Sequence, residues 1–139
     1  MYYLKSEASF DAAHFLKGYV GKCSNIHGHR WRVVVEIKGE KLSEEPQTRG
    51  MLVDFSDLKM AIKELCDRFD HTLIYEEGSL KEATVRALEE ENFRFNVVPF
   101  RPTAENFARF FYESLEASGF DLNRVEVYET PNNCAVYEG

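Results

Sequence analysis

The run Arg30-Trp31-Arg32-Val33-Val34-Val35-Glu36-Ile37-Lys38 constrains the fold more than any other stretch. It is rich in β-branched and aromatic residues with alternating polarity, which predicts a strand. Trp31, Val33, Val35 and Ile37 share one parity, while Arg30, Arg32, Glu36 and Lys38 hold the other, with Val34 as the exception. Strand side chains alternate faces with period two. Continued backwards, the alternation places His27 and His29 on the apolar face at its N-terminal end, with Gly28 between them adding no side chain. Two imidazoles so placed can bind one metal ion. Taken alone, the pair is more simply explained as two histidines at a sheet edge.

The preceding strand extends the pattern. Over residues 3–14, Leu4, Ala8, Phe10 and Ala12 share one parity with Ser6 as an exception, and Lys5, Glu7, Ser9 and Asp11 hold the other. His14 has the apolar parity if no bulge intervenes. If residues 3–14 and 27–38 pair as an antiparallel hairpin, His14 approaches His27 and His29. Three neutral nitrogen ligands with a fourth position open is the pattern of a catalytic zinc site. The plain alternative is an ordinary strand-end histidine. Cys23 lies in the connecting loop 15–26, punctuated by Gly18 and Gly21. Its residue type leaves three readings open: a fourth metal ligand, an inert small apolar side chain, or a thiol activated by a nearby cation as nucleophile or base.

Length and charge narrow the class. The chain has 139 residues, 44% of them hydrophobic, enough for one globular domain spanning 1–139 with a real core. A net charge of -7 and a pI near 5.1 argue against nucleic acid or an anionic membrane as the main partner. No signal-like N-terminus and no long apolar run is present, so a soluble, cytoplasmic protein is expected. Cys23, Cys66 and Cys134 are an odd number, which suits free thiols in a reducing compartment.

Further along, residues 40–50 read as a polar turn or mobile loop. A helix is predicted from Ser56 as N-cap, with Leu58, Ile62, Leu65 and Phe69 as its buried stripe and Cys66 beside it in the core. It runs out at Asp70-His71, either a carboxylate-oriented imidazole serving as proton relay or a favourable helix C-terminus. Residues 80–91 read as a short acidic helix and 93–100 as an irregular or extended return. Thr103 caps a second main helix with Glu105 in its first turn and Gly119 as its stop. Residues 124–130 and 134–138 form a closing hairpin around Pro131-Asn132-Asn133. Val125, Val127 and Glu129 share a parity, which puts a carboxylate on the apolar side. Burying it unpaired costs several kcal/mol, roughly, so it implies a partner. An arginine fits, and so does a ligand with two adjacent N–H donors, such as a pterin or guanine edge. The element order predicts an α+β fold, ββααββ, with a four-stranded antiparallel sheet and two helices on one face.

These residues resemble a known family. Cys23-x-x-x-His27-Gly-His29, His14 after a Phe-x-Ala-Ala strand end, Asp70-His71, Pro102-Thr103-x-Glu105 and Glu129-Thr130-Pro131 stand in the order of the 6-pyruvoyltetrahydropterin synthase / 6-carboxytetrahydropterin synthase family. The resemblance implies a tunnelling fold (T-fold) assembled as a homohexamer of two stacked trimeric barrels, with active sites between subunits. It implies zinc (Zn2+) on His14, His27 and His29. Cys23 is then the base, Asp70 and His71 the opposing relay, and Glu129 the anchor of the pterin ring. Thr103 and Glu105 stand on the substrate side. The implied substrate is 7,8-dihydroneopterin triphosphate, and the compact chain favours the lyase branch that makes 6-carboxy-5,6,7,8-tetrahydropterin for queuosine (7-deazaguanine) biosynthesis. The pyruvoyl-forming activity on the same scaffold, and a non-catalytic zinc-binding module, are the alternatives. One departure is visible: the family's Leu-Asn after Asp-His is Ile74-Tyr75 here.

Overall fold

The computed structural model describes residues 1–139, and the backbone is built on one long hairpin. β1 (Tyr2–His14) and β2 (His27–Gly39) pair antiparallel without a bulge, from Tyr2 opposite Gly39 to His14 opposite His27. The unbroken register fulfils the condition that the sequence reading set on His14. It also matches apolar side chains across the pair, Phe10 with Trp31 and Ala8 with Val33.

α1 (Phe55–Phe69) and α3 (Ala104–Ala117) supply the second layer. Leu58, Ile62, Cys66 and Phe69 of α1, and Phe107, Ala108, Phe111 and Leu115 of α3, are buried with the inward side chains of the sheet in one cluster. Phe10 lies at its centre, stacked on Trp31 at 5.9 Å and in contact with Phe69, Phe107 and Phe111. Burial pushes the Cys66 thiol up to about 12, as befits a core residue. α1 begins two residues earlier than its sequence signals predict. Asp54 is the N-cap, its carboxylate accepting the Ser56 amide at 2.8 Å, because an ionised oxygen two residues back satisfies the first-turn donors better than a Ser56 hydroxyl can. At α3 the expected cap holds, with Thr103 Oγ1 accepting from the Asn106 amide at 3.2 Å.

The sheet differs from the four-stranded antiparallel prediction. It has six strands in mixed order, Phe95–Val98 (β4), Thr72–Glu76 (β3), β1, β2, Leu122–Thr130 (β5) and Asn133–Tyr137 (β6), and besides the two main helices the chain forms the short acidic helix expected within 80–91. The added strands are β3 (Thr72–Glu76), parallel to the end of β1, and β4 (Phe95–Val98), parallel to β3. α2 (Glu82–Glu90) joins them as a crossover. Thr72-Leu-Ile-Tyr-Glu and Phe95-Asn-Val-Val are too short to carry an alternation, and their pairing partners are remote in sequence. β5 (Leu122–Thr130) and β6 (Asn133–Tyr137) complete the other side, with β5 antiparallel to β2. No helix is long and apolar enough to cross a membrane.

Candidate metal centre and its cavities

The hairpin end carries the chemistry. His14, from the last position of β1, and His27 and His29, from the first turn of alternation in β2, converge with ring centroids 4.6 to 5.2 Å apart. His14 is fully buried, and its Nδ1 lies 2.8 Å from the Pro102 carbonyl just before α3. His27 Nδ1 lies 2.7 Å from the Asn25 carbonyl. A carbonyl can only accept, so each of these Nδ1 atoms bears the proton and each Nε2 keeps its lone pair. The Nε2 atoms of His14, His27 and His29 are buried with no hydrogen-bond partner. Buried polar atoms are rarely left so unless a ligand or ion satisfies them. Three neutral imidazoles with oriented second nitrogens fit a divalent metal such as zinc.

Glu129 joins this cluster. One donor atom from each of His14, His27, His29 and Glu129 lies within 4.8 Å of the others. Glu129 Oε1 is 2.8 Å from His29 Nε2 and 3.7 Å from His14 Nε2. The carboxyl is held below the usual carboxylate range by its proximity to His14 and then by His29, against the opposing effect of burial. Burial lowers the His29 imidazole, against the pull of Glu129. The sequence reading placed Glu129 on the apolar side but not among the ligands. The signal was its parity, and what parity lacked was the local irregularity of β5 at Tyr128–Thr130.

Asp70 and His71 form a second unit. Asp70 Oδ2 is 2.8 Å from His71 Nδ1, and Asp70 Oδ1 accepts the Asp11 amide at 2.8 Å. His71 donates its own amide to the Asp11 carbonyl at 2.7 Å and sits at φ +57°, a left-handed conformation uncommon for a residue with a side chain. One backbone bond from His71 and one amide-to-carboxylate bond onto Asp70, both made with Asp11, hold that conformation in place. The Asp11 amide, and then His71, keep the Asp70 carboxyl below its ordinary range. This unit opens on a cavity of about 760 Å³ that also reaches His29 and Arg30. A second cavity, about 530 Å³, lies against His29 and Glu129 and is walled by Arg30, Arg32 and Tyr128.

Other sequence candidates fall outside these clusters. Cys23 is half-buried in a single 3-10 turn, Lys22–Ser24, and neither joins the metal cluster nor lines either cavity. Thr103 is engaged as a helix cap, and Glu105 is exposed in the first turn of α3. Tyr75, at the position of the departure, is buried in β3 against Phe95 at 5.8 Å. The carbonyls of Pro102 and Asn25, which set the ring tautomers, left no signal in the sequence, because backbone acceptors are common to every residue.

Comparison with known proteins agrees with this architecture. A curated relative, the 6-carboxy-5,6,7,8-tetrahydropterin synthase of Haemophilus influenzae, is 37% identical over 141 aligned residues, covering 99% of each chain. Among solved structures, an uncharacterized protein from Wolinella succinogenes superposes with a TM-score of 0.80 at 21% identity, over 99% of this chain and 98% of that one. The 6-pyruvoyl tetrahydropterin synthase of Caenorhabditis elegans does so with a TM-score of 0.68 at 26% identity, over 99% and 95%. The family model described as 6-pyruvoyl tetrahydropterin synthase matches residues 3–139. With that match running from the first strand of the hairpin to the C-terminus, the chain belongs to the 6-pyruvoyl tetrahydropterin synthase family.

Proposed function

We propose that the protein is a zinc-dependent 6-carboxy-5,6,7,8-tetrahydropterin synthase, acting on 7,8-dihydroneopterin triphosphate with release of triphosphate and acetaldehyde on the route to queuosine. The observation that carries this reading is the set of three buried, unpartnered Nε2 atoms beside a cavity edged by Glu129. The choice of the carboxy product follows the full-length relative from Haemophilus influenzae.

Zinc bound by His14, His27 and His29 would supply Lewis acidity toward the side-chain hydroxyls of the substrate. The protein's own groups do the rest. Glu129 offers two carboxylate oxygens to the paired N–H donors of a pterin ring. Cys23 takes and returns protons on the substrate side chain, and His71, oriented by Asp70, serves as the opposing acid and base. Thr103 and Glu105, at the head of α3, complete the substrate side, Thr103 while capping the helix. Within one chain Cys23 lies outside the cavity that His71 lines and outside the histidine cluster. That separation fits active sites formed between subunits of a homohexamer.

The test is mass spectrometry of products after zinc-loaded protein meets dihydroneopterin triphosphate. The carboxytetrahydropterin together with acetaldehyde is expected. A pyruvoyltetrahydropterin product keeps the site and changes the pathway, a reading favoured by the Caenorhabditis elegans likeness. No turnover by folded, zinc-loaded protein overturns the enzyme reading and leaves a zinc-binding module.

A further inference from the structure

β5 loses regular pairing at Glu129. Tyr128 faces Cys134 and Thr130 faces Asn133, so Glu129 is the unmatched residue of a bulge. A bulge re-aims the side chain that it contains. Here the carboxylate is turned over the histidines, with Oε1 at 2.8 Å from His29 Nε2 and 3.7 Å from His14 Nε2. Neither contact is a hydrogen bond. The longer one exceeds bonding distance, and His29 Nε2, despite the short one, remains without an aligned partner. His14 Nε2 and His27 Nε2 are acceptors, because their rings donate through Nδ1 to the Pro102 and Asn25 carbonyls. The carboxylate oxygen therefore faces the lone pair of His14 Nε2 at 3.7 Å, a contact that repels unless a cation lies between them. The Glu129 side chain as a whole stays partly open to solvent.

We infer that Glu129 is a movable fourth ligand of the metal ion, in place while the pterin site is empty and withdrawn when a ring occupies it. The inference rests on the zinc-enzyme reading above and adds a second role to the ring anchor. Glu129 lines the same cavity as Arg30, Arg32 and Tyr128, so a ring entering there meets the carboxylate that faces the histidines. A ring edge with two N–H donors engages both oxygens at once. A carboxylate so engaged no longer faces the histidine nitrogens. Ring recognition and opening of the fourth coordination position are then one event, and a compound lacking the ring leaves that position closed.

Cobalt(II) in place of zinc reports the ligand set through its visible absorption, without turnover. In the substrate-free protein, Glu129→Gln is expected to alter that spectrum and to weaken cobalt by at least about tenfold in chelator competition. Circular dichroism checks that the variant is folded. 6-Methylpterin has the ring donors but no hydroxylated side chain. It is expected to move the wild-type spectrum and leave that of Glu129→Gln unchanged. Identical spectra and cobalt affinities for wild type and Glu129→Gln overturn the proposal. So does a wild-type spectrum indifferent to 6-methylpterin that equilibrium dialysis shows to be bound. Failure of 6-methylpterin to bind overturns the coupling of ring to metal, and the two substrate-free spectra still decide whether Glu129 is a ligand. Absence of turnover with dihydroneopterin triphosphate, alongside altered cobalt spectra, sinks the substrate assignment alone.

Discussion

At the scale of single residues, the metal cluster and the thiol separate cleanly. Cys23 contributes no donor atom to the histidine cluster, so Cys23→Ala is expected to leave zinc content at wild-type level by atomic absorption. Turnover should fall by about two to four orders of magnitude if the thiol moves protons. Parallel loss of zinc would make it a ligand instead. Asp70 gives a pH prediction. Its carboxyl is depressed in the folded state, so its stabilisation is complete above the ordinary value of 3.8 and is lost as pH falls through the lower folded value. Asp70→Asn should therefore lower the urea midpoint at neutral pH and flatten its decline below about pH 5. An unchanged acid limb would show that the Asp11 and His71 contacts carry no net stabilisation.

At the scale of elements, two helix caps of the same kind have different reach. Asp54→Ala and Thr103→Ala should each cost about 1 kcal/mol, seen as a lower Tm. Only the Thr103 cap lies beside Pro102, whose carbonyl holds His14 Nδ1. Thr103→Ala is thus expected to weaken zinc in chelator competition, and Asp54→Ala to leave zinc affinity unchanged. The elements themselves were unevenly legible in the sequence. β1 and β2 are long enough for alternation to fix their faces, so the convergence of His14, His27 and His29 could be read before any coordinates. β3 could not, and β4 only as part of the extended return read over 93–100. Their backbones are satisfied by parallel neighbours remote in sequence, and Phe95-Asn-Val-Val carries too few residues for a period. Glu129 lay between these cases, its face readable from parity and its aim set by a bulge that parity does not encode.

At the scale of the whole molecule, the sheet ends in two unpaired edges, β4 and β6, each with an exposed valine: Val97 and Val136. Such edges pair with further strands unless charge blocks them. Val136→Lys should shift the protein to smaller species by sedimentation velocity and reduce turnover, with zinc content retained. Retained turnover by a monomer would refute sites shared between subunits. The order of the chain has a consequence for biosynthesis as well. The three histidines of the cluster lie between His14 and His29; the carbonyl that orients His27, from Asn25, lies within that span, whereas the one that orients His14, from Pro102, is made late. A growing chain therefore emits its whole imidazole set early, with the His14 ring still free to carry its proton on either nitrogen. Only when α3 docks does the Pro102 carbonyl select one tautomer. On the proposed zinc reading, tight metal capture is thus deferred to the end of folding, and the ion would mark chains that have reached it.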